Sequence, residues 1–234
     1  MWIHFALFAA LLLPAALMGL PGNVGRRGSP ALLGMAFVAF VAFSSLRAVS
    51  VGNDTIEYHR VFEEIKASNS LQEAFTVSRF EYGYVLLNYL VSHITQSFNV
   101  LLLIISVFVY GSALLFVKRY AANYSLAVLF AFGMSVFYDF MLFVRQGVAV
   151  AIFLLAVPAL MERRLLRYVL LIALATQFHT SAVLMLIVYL VPVMRLSTFG
   201  DWLKWGTLIG ASMFSLSWVM NSLAASSAYY GHYL

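Results

Sequence analysis

The sequence contains no cysteine, which removes disulfides, thiolate metal ligands and thiol nucleophiles in one step and excludes membrane enzymes built on a catalytic cysteine. Charge is scarce too: 10% of the 234 residues are charged and 63% are hydrophobic. No soluble globule fits that ratio, because several apolar runs reach the roughly 18 residues that a bilayer-spanning helix needs. No phosphate loop, dinucleotide fingerprint or HExxH occurs, and His4, His59, His93, His179 and His232 show no ligand spacing, so no cofactor and no metal is expected. The basic residues behind the net charge of +5 sit in short clusters between apolar runs. Without a basic face interleaved with aromatics, that pattern reports topology and not nucleic-acid binding.

What is present is a series of apolar segments. Residues 2 to 20 lack a basic stretch ahead of the apolar run and read as a retained span rather than a signal peptide. Pro21-Gly22-Asn23 ends it, Arg26-Arg27 follows, and Pro30 starts a second span to residue 46. The positive-inside rule makes Arg26-Arg27 cytoplasmic, so residues 47 to 80 form an extracytoplasmic loop. Within it, Asn53-Asp54 stands before Glu57 in capping-box spacing, and Tyr58, Val61, Phe62 and Ile65 follow at helical spacing. A second capping box, Ser70-Leu71-Gln72-Glu73, opens a shorter helix carrying Leu71, Ala74 and Phe75. The loop is therefore expected to hold one or two amphipathic helices on the outer face of the membrane domain.

Residues 82 to 98 are less apolar than their neighbours, and charge counting decides how to read them. If they do not cross, spans at 99 to 117, 124 to 143, 147 to 161, a run at 165 to 194 split at His179, and 203 to 222 leave nearly every basic cluster cytoplasmic. A full crossing inverts the three clusters that follow. The expected fold is thus an all-α polytopic membrane protein, a single domain over 1–234 with about seven to nine transmembrane or re-entrant helices. Arg47, Asp54, Arg79, Glu81, Arg145 and His179 then share the outer side. Short spans around Arg145 and His179 place both in a cavity dipping below the outer surface.

Ionisable groups at such depth are costly and mark function by default. Arg145 offers a planar donor fork suited to diphosphate; a snorkelling helix-end arginine is the alternative. His179, in the polar island Gln177-Phe178-His179-Thr180-Ser181, reads as a general base or as a structural histidine at a helix break. Asp54, Glu57 and Glu81 are candidate bases or sugar ligands, Arg47, Arg60 and Arg79 candidate phosphate ligands, and Tyr58, Tyr82 and Tyr84 candidate stacking platforms. Gly133-Met134-Ser135 and Gly210-Ala211-Ser212 match the nucleophile segment of intramembrane serine proteases only loosely, since Gly-x-Ser triplets are common where helices pack.

Four pieces in order, Gly52-Asn53-Asp54-Thr55-Ile56-Glu57-Tyr58, Phe80-Glu81-Tyr82-Gly83-Tyr84, Val144-Arg145-Gln146-Gly147-Val148-Ala149 and Ala175-Thr176-Gln177-Phe178-His179-Thr180-Ser181-Ala182, resemble the EpsG-type family of Wzy-like bacterial polysaccharide polymerases. The resemblance covers roughly residues 45 to 190. It implies a GT-C-like membrane glycosyltransferase in the bacterial cytoplasmic membrane, with its site facing outside. Such an enzyme moves a glycan from a polyprenyl diphosphate carrier onto a lipid-linked repeat unit, without nucleotide sugar and without metal. Carried over, Arg145 would hold the donor diphosphate and His179 or an outer carboxylate such as Asp54 or Glu81 would orient or deprotonate the acceptor hydroxyl; by residue type Gln146, Arg47 and Arg79 join Arg145 as candidate substrate ligands, and Tyr58 and Tyr82 as candidate sugar contacts. Its partners would be lipid-linked oligosaccharide, membrane lipid, and export or chain-length proteins. Two rivals remain open: a transporter or flippase component for the same substrate, and a non-catalytic assembly subunit. Family members usually continue through further spans, so the expectation is either an unusually short member or one whose carboxy-terminal spans are missing.

Single cysteines at Ser92, Asn123, Ser181 and Ser197 test the topology in this cysteine-free chain. Impermeant label added to intact cells should reach Ser181 and spare Asn123 and Ser197; the reverse result would mean that residues 82 to 98 cross.

Overall fold

The computed structural model describes residues 30–193 and a few positions from 198 to 207. The expected spans at 2 to 20 and, for most of its length, at 203 to 222 lie outside the described residues. Among the described residues the chain is helical and contains no strand. Nine α-helices follow one another: α1 (Pro30–Ser45), α2 (Asn53–Lys66), α3 (Leu71–Val77), α4 (Tyr82–Ser92), α5 (Phe98–Tyr120), α6 (Tyr124–Gly133), α7 (Val136–Leu142), α8 (Val144–Met161) and α9 (Leu165–Thr176). A 3₁₀ helix spans Thr180–Val193. The described residues up to 186 belong to one compact unit and those from 187 onward to a second; all that follows concerns the first.

Two helices, Phe98–Tyr120 and Val144–Met161, are long and apolar enough to cross a membrane, and a third candidate is the bent pair α6 and α7. At 1.5 Å per residue the 23 residues of α5 extend about 34 Å, enough for a hydrocarbon core of about 30 Å. By the same measure the eleven residues of α4 reach only about 16 Å. Residues 82 to 98 thus hold a helix of about half a span's length.

Residues 124 to 143, expected as one span, fold as two helices. Their two halves meet at a 60° bend, and the Gly133-Met134-Ser135 triplet is its hinge. Gly133 ends α6, and Ser135 takes a left-handed backbone with φ 62°, a conformation that stops an α-helix of L-residues. The triplet is explained by this break. The turn at Arg163, φ 56°, separates α8 from α9 in the same manner.

The two helices of the loop form as the pattern predicts, and the apolar face of α2 is buried: Tyr58, Val61, Phe62 and Ile65 are almost fully covered. They pack on Phe98 at the start of α5 and on Tyr84 and Val85 of α4. Each fully buried side chain of this size contributes about 1.5–3 kcal/mol where the alternative is water. The caps differ from expectation. Helix α2 begins after Gly52 with no side-chain cap, so Asn53-Asp54 is not the capping box. Gly52 has φ 89°, and a Cβ there would lie 2.5 Å from the Leu142 side chain, so only glycine enters this turn. At α3 the capping box does form: Ser70 Oγ accepts from the Glu73 amide at 3.2 Å, while the Glu73 carboxylate reaches back to the Asn69 amide at 2.8 Å.

Inside the bundle, α1 and α5 approach through small polar residues. The Ser106 hydroxyl donates to the Ser44 hydroxyl at 2.8 Å, and Asn99 donates to the Ser45 carbonyl at 2.6 Å. Small side chains allow this approach, and bonds between them replace the hydrophobic drive that is absent in lipid. A second approach matters more for the site. The amides of Gly83 and Tyr84 both donate to the carbonyl of Gln177, at 2.8 and 3.2 Å, so a backbone oxygen 94 positions later caps α4.

A Cβ on residue 83 would lie 2.8 Å from both the Gln177 carbonyl oxygen and the Gln177 Cβ. Gly83→Ala should therefore push the segments apart and destabilise the protein by about 1–3 kcal/mol, the usual cost of overpacking. Thermal unfolding in detergent measures it, with Gly34→Ala, where nothing lies within 4 Å, as the control.

Candidate active site

Glu81 occupies the N-cap position of α4, yet its side chain makes no cap bond. Because Gln177 satisfies the helix's first amides, the carboxylate is free to face elsewhere. One oxygen, Oε2, accepts from Arg145 Nη1. The other, Oε1, accepts from the Thr180 amide at 3.1 Å and the Thr180 hydroxyl at 3.3 Å, and stands 3.6 Å from His179 Nδ1. A single carboxylate thus joins the start of α4, the start of α8 and the turn after α9.

Arg145 is the second residue of α8, where a cation opposes the helix dipole; Glu81 compensates that position. Its guanidinium carbon lies 4.0 Å above the Phe80 ring centroid and 6.0 Å from that of Tyr58, a stacked arrangement that planar arginine permits and lysine does not. Arg145 Nε is buried without a partner. The next residue on each side of α8 faces differently: Gly147 packs on the backbone of Phe140, and Gln146 is exposed in a groove of about 340 Å³ with Asp139.

The side chains of Glu81, Arg145 and His179 are 15%, 21% and 29% exposed, neither sealed nor fully wet. Burial pushes the Glu81 carboxyl up, but its own amide, the Arg145 charge and the Thr180 amide outweigh burial and hold it below the usual carboxylate range. Burial pulls the His179 imidazole below its ordinary value, the Arg145 charge adds to that, and Glu81 opposes it. At neutral pH the cluster is therefore a carboxylate, a guanidinium and a neutral imidazole: one negative charge, one positive charge and a vacant base.

The sequence candidates divide accordingly. Glu81, Arg145, His179 and Tyr58 come together. Tyr58 is buried beside Arg145, and burial raises its phenol against the Arg145 charge. Arg47 lies within electrostatic range of Tyr58 and Tyr84. Six candidates, Asp54, Glu57, Arg60, Arg79, Tyr82 and Gln146, stand outside the cluster. Asp54 is exposed in the first turn of α2. Arg79 donates to Glu57 at 3.1 Å, a carboxylate it shares with Arg60. Tyr82 is 68% exposed with its edge against Phe75, and Gln146 lies in the groove just described. Two participants went unassigned: Phe80, the ring under the guanidinium, and Thr180, the double donor to Glu81. Both stand beside residues that had been singled out, and adjacency was the one available signal. Among the described residues no group of three His, Asp or Glu is arranged to hold a metal.

Apolar helices of spanning length, with an arginine, a carboxylate and a histidine gathered at one junction, fit a membrane protein with a polar cluster among its helices. The EpsG family model matches residues 31–234, and the chain belongs to the EpsG family, a family of Wzy-like polymerases. No curated protein and no solved structure matches the chain.

The charges around His179 make its titration a probe of the cluster. Its midpoint, followed by NMR of histidine-labelled protein and assigned with His179→Asn, should fall below the ordinary value of about 6.5. Glu81→Gln removes the one influence that favours imidazolium and should lower the midpoint further. Arg145→Gln removes an opposing cation and should raise it.

Proposed function

We propose that this protein polymerises an exopolysaccharide or O-antigen-like glycan by transferring a chain from a polyprenyl diphosphate carrier onto the acceptor hydroxyl of a lipid-linked repeat unit. Family membership supports a polysaccharide polymerase, and the observation that carries the reaction chemistry is the shared Glu81 carboxylate between Arg145 and His179.

The reaction forms a bond from the acceptor oxygen to the anomeric carbon of the donor and breaks the bond from that carbon to the diphosphate, which leaves with the electron pair. Arg145 stabilises the charge that develops on the diphosphate. With Nδ1 turned toward Glu81, the Nε2 of neutral His179 is left to take the acceptor's proton, and Glu81 stabilises the imidazolium that results. Thr180 and Phe80 are positioning residues: the first fixes the Glu81 carboxylate and the second supports the plane of Arg145. In this reading the chain spans the bacterial cytoplasmic membrane about seven to nine times in a GT-C-like arrangement, residues 82 to 98 do not cross, and the cluster faces outside. Lipid-linked oligosaccharide is the substrate, and export or chain-length proteins receive the product.

His179→Ala should lower polymer formation by about 10²–10⁴-fold, the usual contribution of a general base, while lipid-linked repeat unit still binds. Arg145→Lys keeps the charge but loses the fork and should cost about 10²-fold. Polymer length on gels, with the lipid-linked pool measured in parallel, separates the readings. Normal polymer from both variants would reject the mechanism, and a pool stranded on the cytoplasmic side would favour a flippase.

A further inference from the structure

Arg47 is the most unusual charge in the molecule. It follows the last turn of α1, where an arginine ordinarily extends toward water, yet it is 7% exposed. Its Nη1 donates to the Ser44 carbonyl at 2.7 Å and the Ser44 hydroxyl at 3.1 Å, and that hydroxyl is in turn bonded to Ser106 of α5. The side chain thus turns back into the bundle. No carboxylate pairs with it among the described residues, and its Nε and Nη2 are buried without any partner. Arginine does not escape this position by losing its proton, so the bundle holds a buried cation whose outer donor edge is vacant, an arrangement that is expensive unless an anion joins it.

The neighbouring groups indicate where that anion sits. The guanidinium lies within electrostatic reach of Tyr110, Tyr84 and Tyr58, and Tyr84 lies within reach of both Arg47 and Arg145. Rings 58 and 84 are 5.8 Å apart. The buried hydroxyl of Tyr84 stands beside the side chain of Asn88, one turn further along α4. Native interiors leave few atoms unpartnered as Nε and Nη2 of Arg47 are, and both guanidiniums lie within electrostatic reach of the same pair of tyrosines. Arg145 is already engaged by Glu81, whereas Arg47 has no internal competitor.

We propose that Arg47 is a second anion-binding residue, taking one phosphoryl group of a lipid-linked diphosphate on its Nε–Nη2 edge while Arg145 takes the other across Tyr58 and Tyr84. This rests on the proposed function and specifies its substrate site: the diphosphate lies between two arginines, each of which binds one phosphoryl group.

The test uses the full chain in detergent, with thermal unfolding followed against added farnesyl diphosphate, farnesyl monophosphate, inorganic pyrophosphate and phosphatidylglycerol. Farnesyl diphosphate should stabilise the wild type. Arg47→Met should unfold at no lower temperature without ligand, since the uncompensated charge is gone, and should bind farnesyl diphosphate at least about tenfold more weakly, as expected for losing a charge-assisted bond. Arg47→Lys, which retains the charge but not the edge, should also bind more weakly, and it serves if the methionine variant fails to fold. Unaltered affinity in both Arg47 variants, alongside weakened binding in Arg145→Lys, would overturn this inference and leave the proposed function standing. Unaltered affinity in Arg145→Lys with loss in the Arg47 variants would uphold the inference and remove Arg145 from the proposed mechanism. An equal, Arg47-dependent shift with phosphatidylglycerol would make the occupant a structural phospholipid and overturn the proposal, as would an absence of any stabilisation of the wild type.

Discussion

The structure depends on how one helix start is capped. An isolated helix beginning at Tyr82 would take its cap from Glu81, the residue that occupies the cap position. Here the carbonyl of Gln177 does that work, and the carboxylate is released to Arg145, Thr180 and His179. The exchange is possible only because residue 83 has no side chain to hold the two backbones apart. Local helix chemistry and the remote polar cluster are thus linked through a single backbone oxygen, and a change to either propagates to the other.

The same junction shows how polar groups are sustained among apolar helices. Arg145 combines an ion pair with an aromatic face, so its charge is compensated and its plane is fixed. Arg47 has two hydrogen bonds on one nitrogen and vacancies on the others. Buried groups are ordinarily satisfied, and among the described residues Arg47 is an exception, with Nε and Nη2 buried and unpartnered. The cluster is accordingly electrostatically closed at the Arg145 end and open at the Arg47 end.

Much of this was legible in the sequence, and the remainder has a definite physical reason for being hidden. Hydropathy and spacing give the long helices α5 and α8 and the buried face of α2, because those signals are periodic and local. The four short motifs bring forward Glu81, Arg145 and His179, since ionisable groups beside apolar runs stand out. The bend at Ser135 was not legible: a left-handed residue leaves no hydropathy signature, and the apolar run continues through it. The cap of α2 was misread because Gly52, not a polar side chain, sets that turn. Arg79 and Arg47 look alike in sequence, and only packing shows that the first is held by Glu57 at the surface while the second is buried with no counter-ion among the described residues. Thr180 and Phe80 escaped because their roles depend on distant partners rather than on their own chemistry.

The separation between Glu81 and Thr180 is 99 residues, which has a consequence for biosynthesis. A ribosome adding roughly 5–20 residues per second needs about 5–20 s to cover that distance. Through that interval the start of α4 has neither its cap nor its cluster. The segment that will hold the carboxylate must wait beside the translocation machinery with its leading amides unpaired, so lipid headgroups, water or a chaperone must serve as temporary partners until Gln177 emerges.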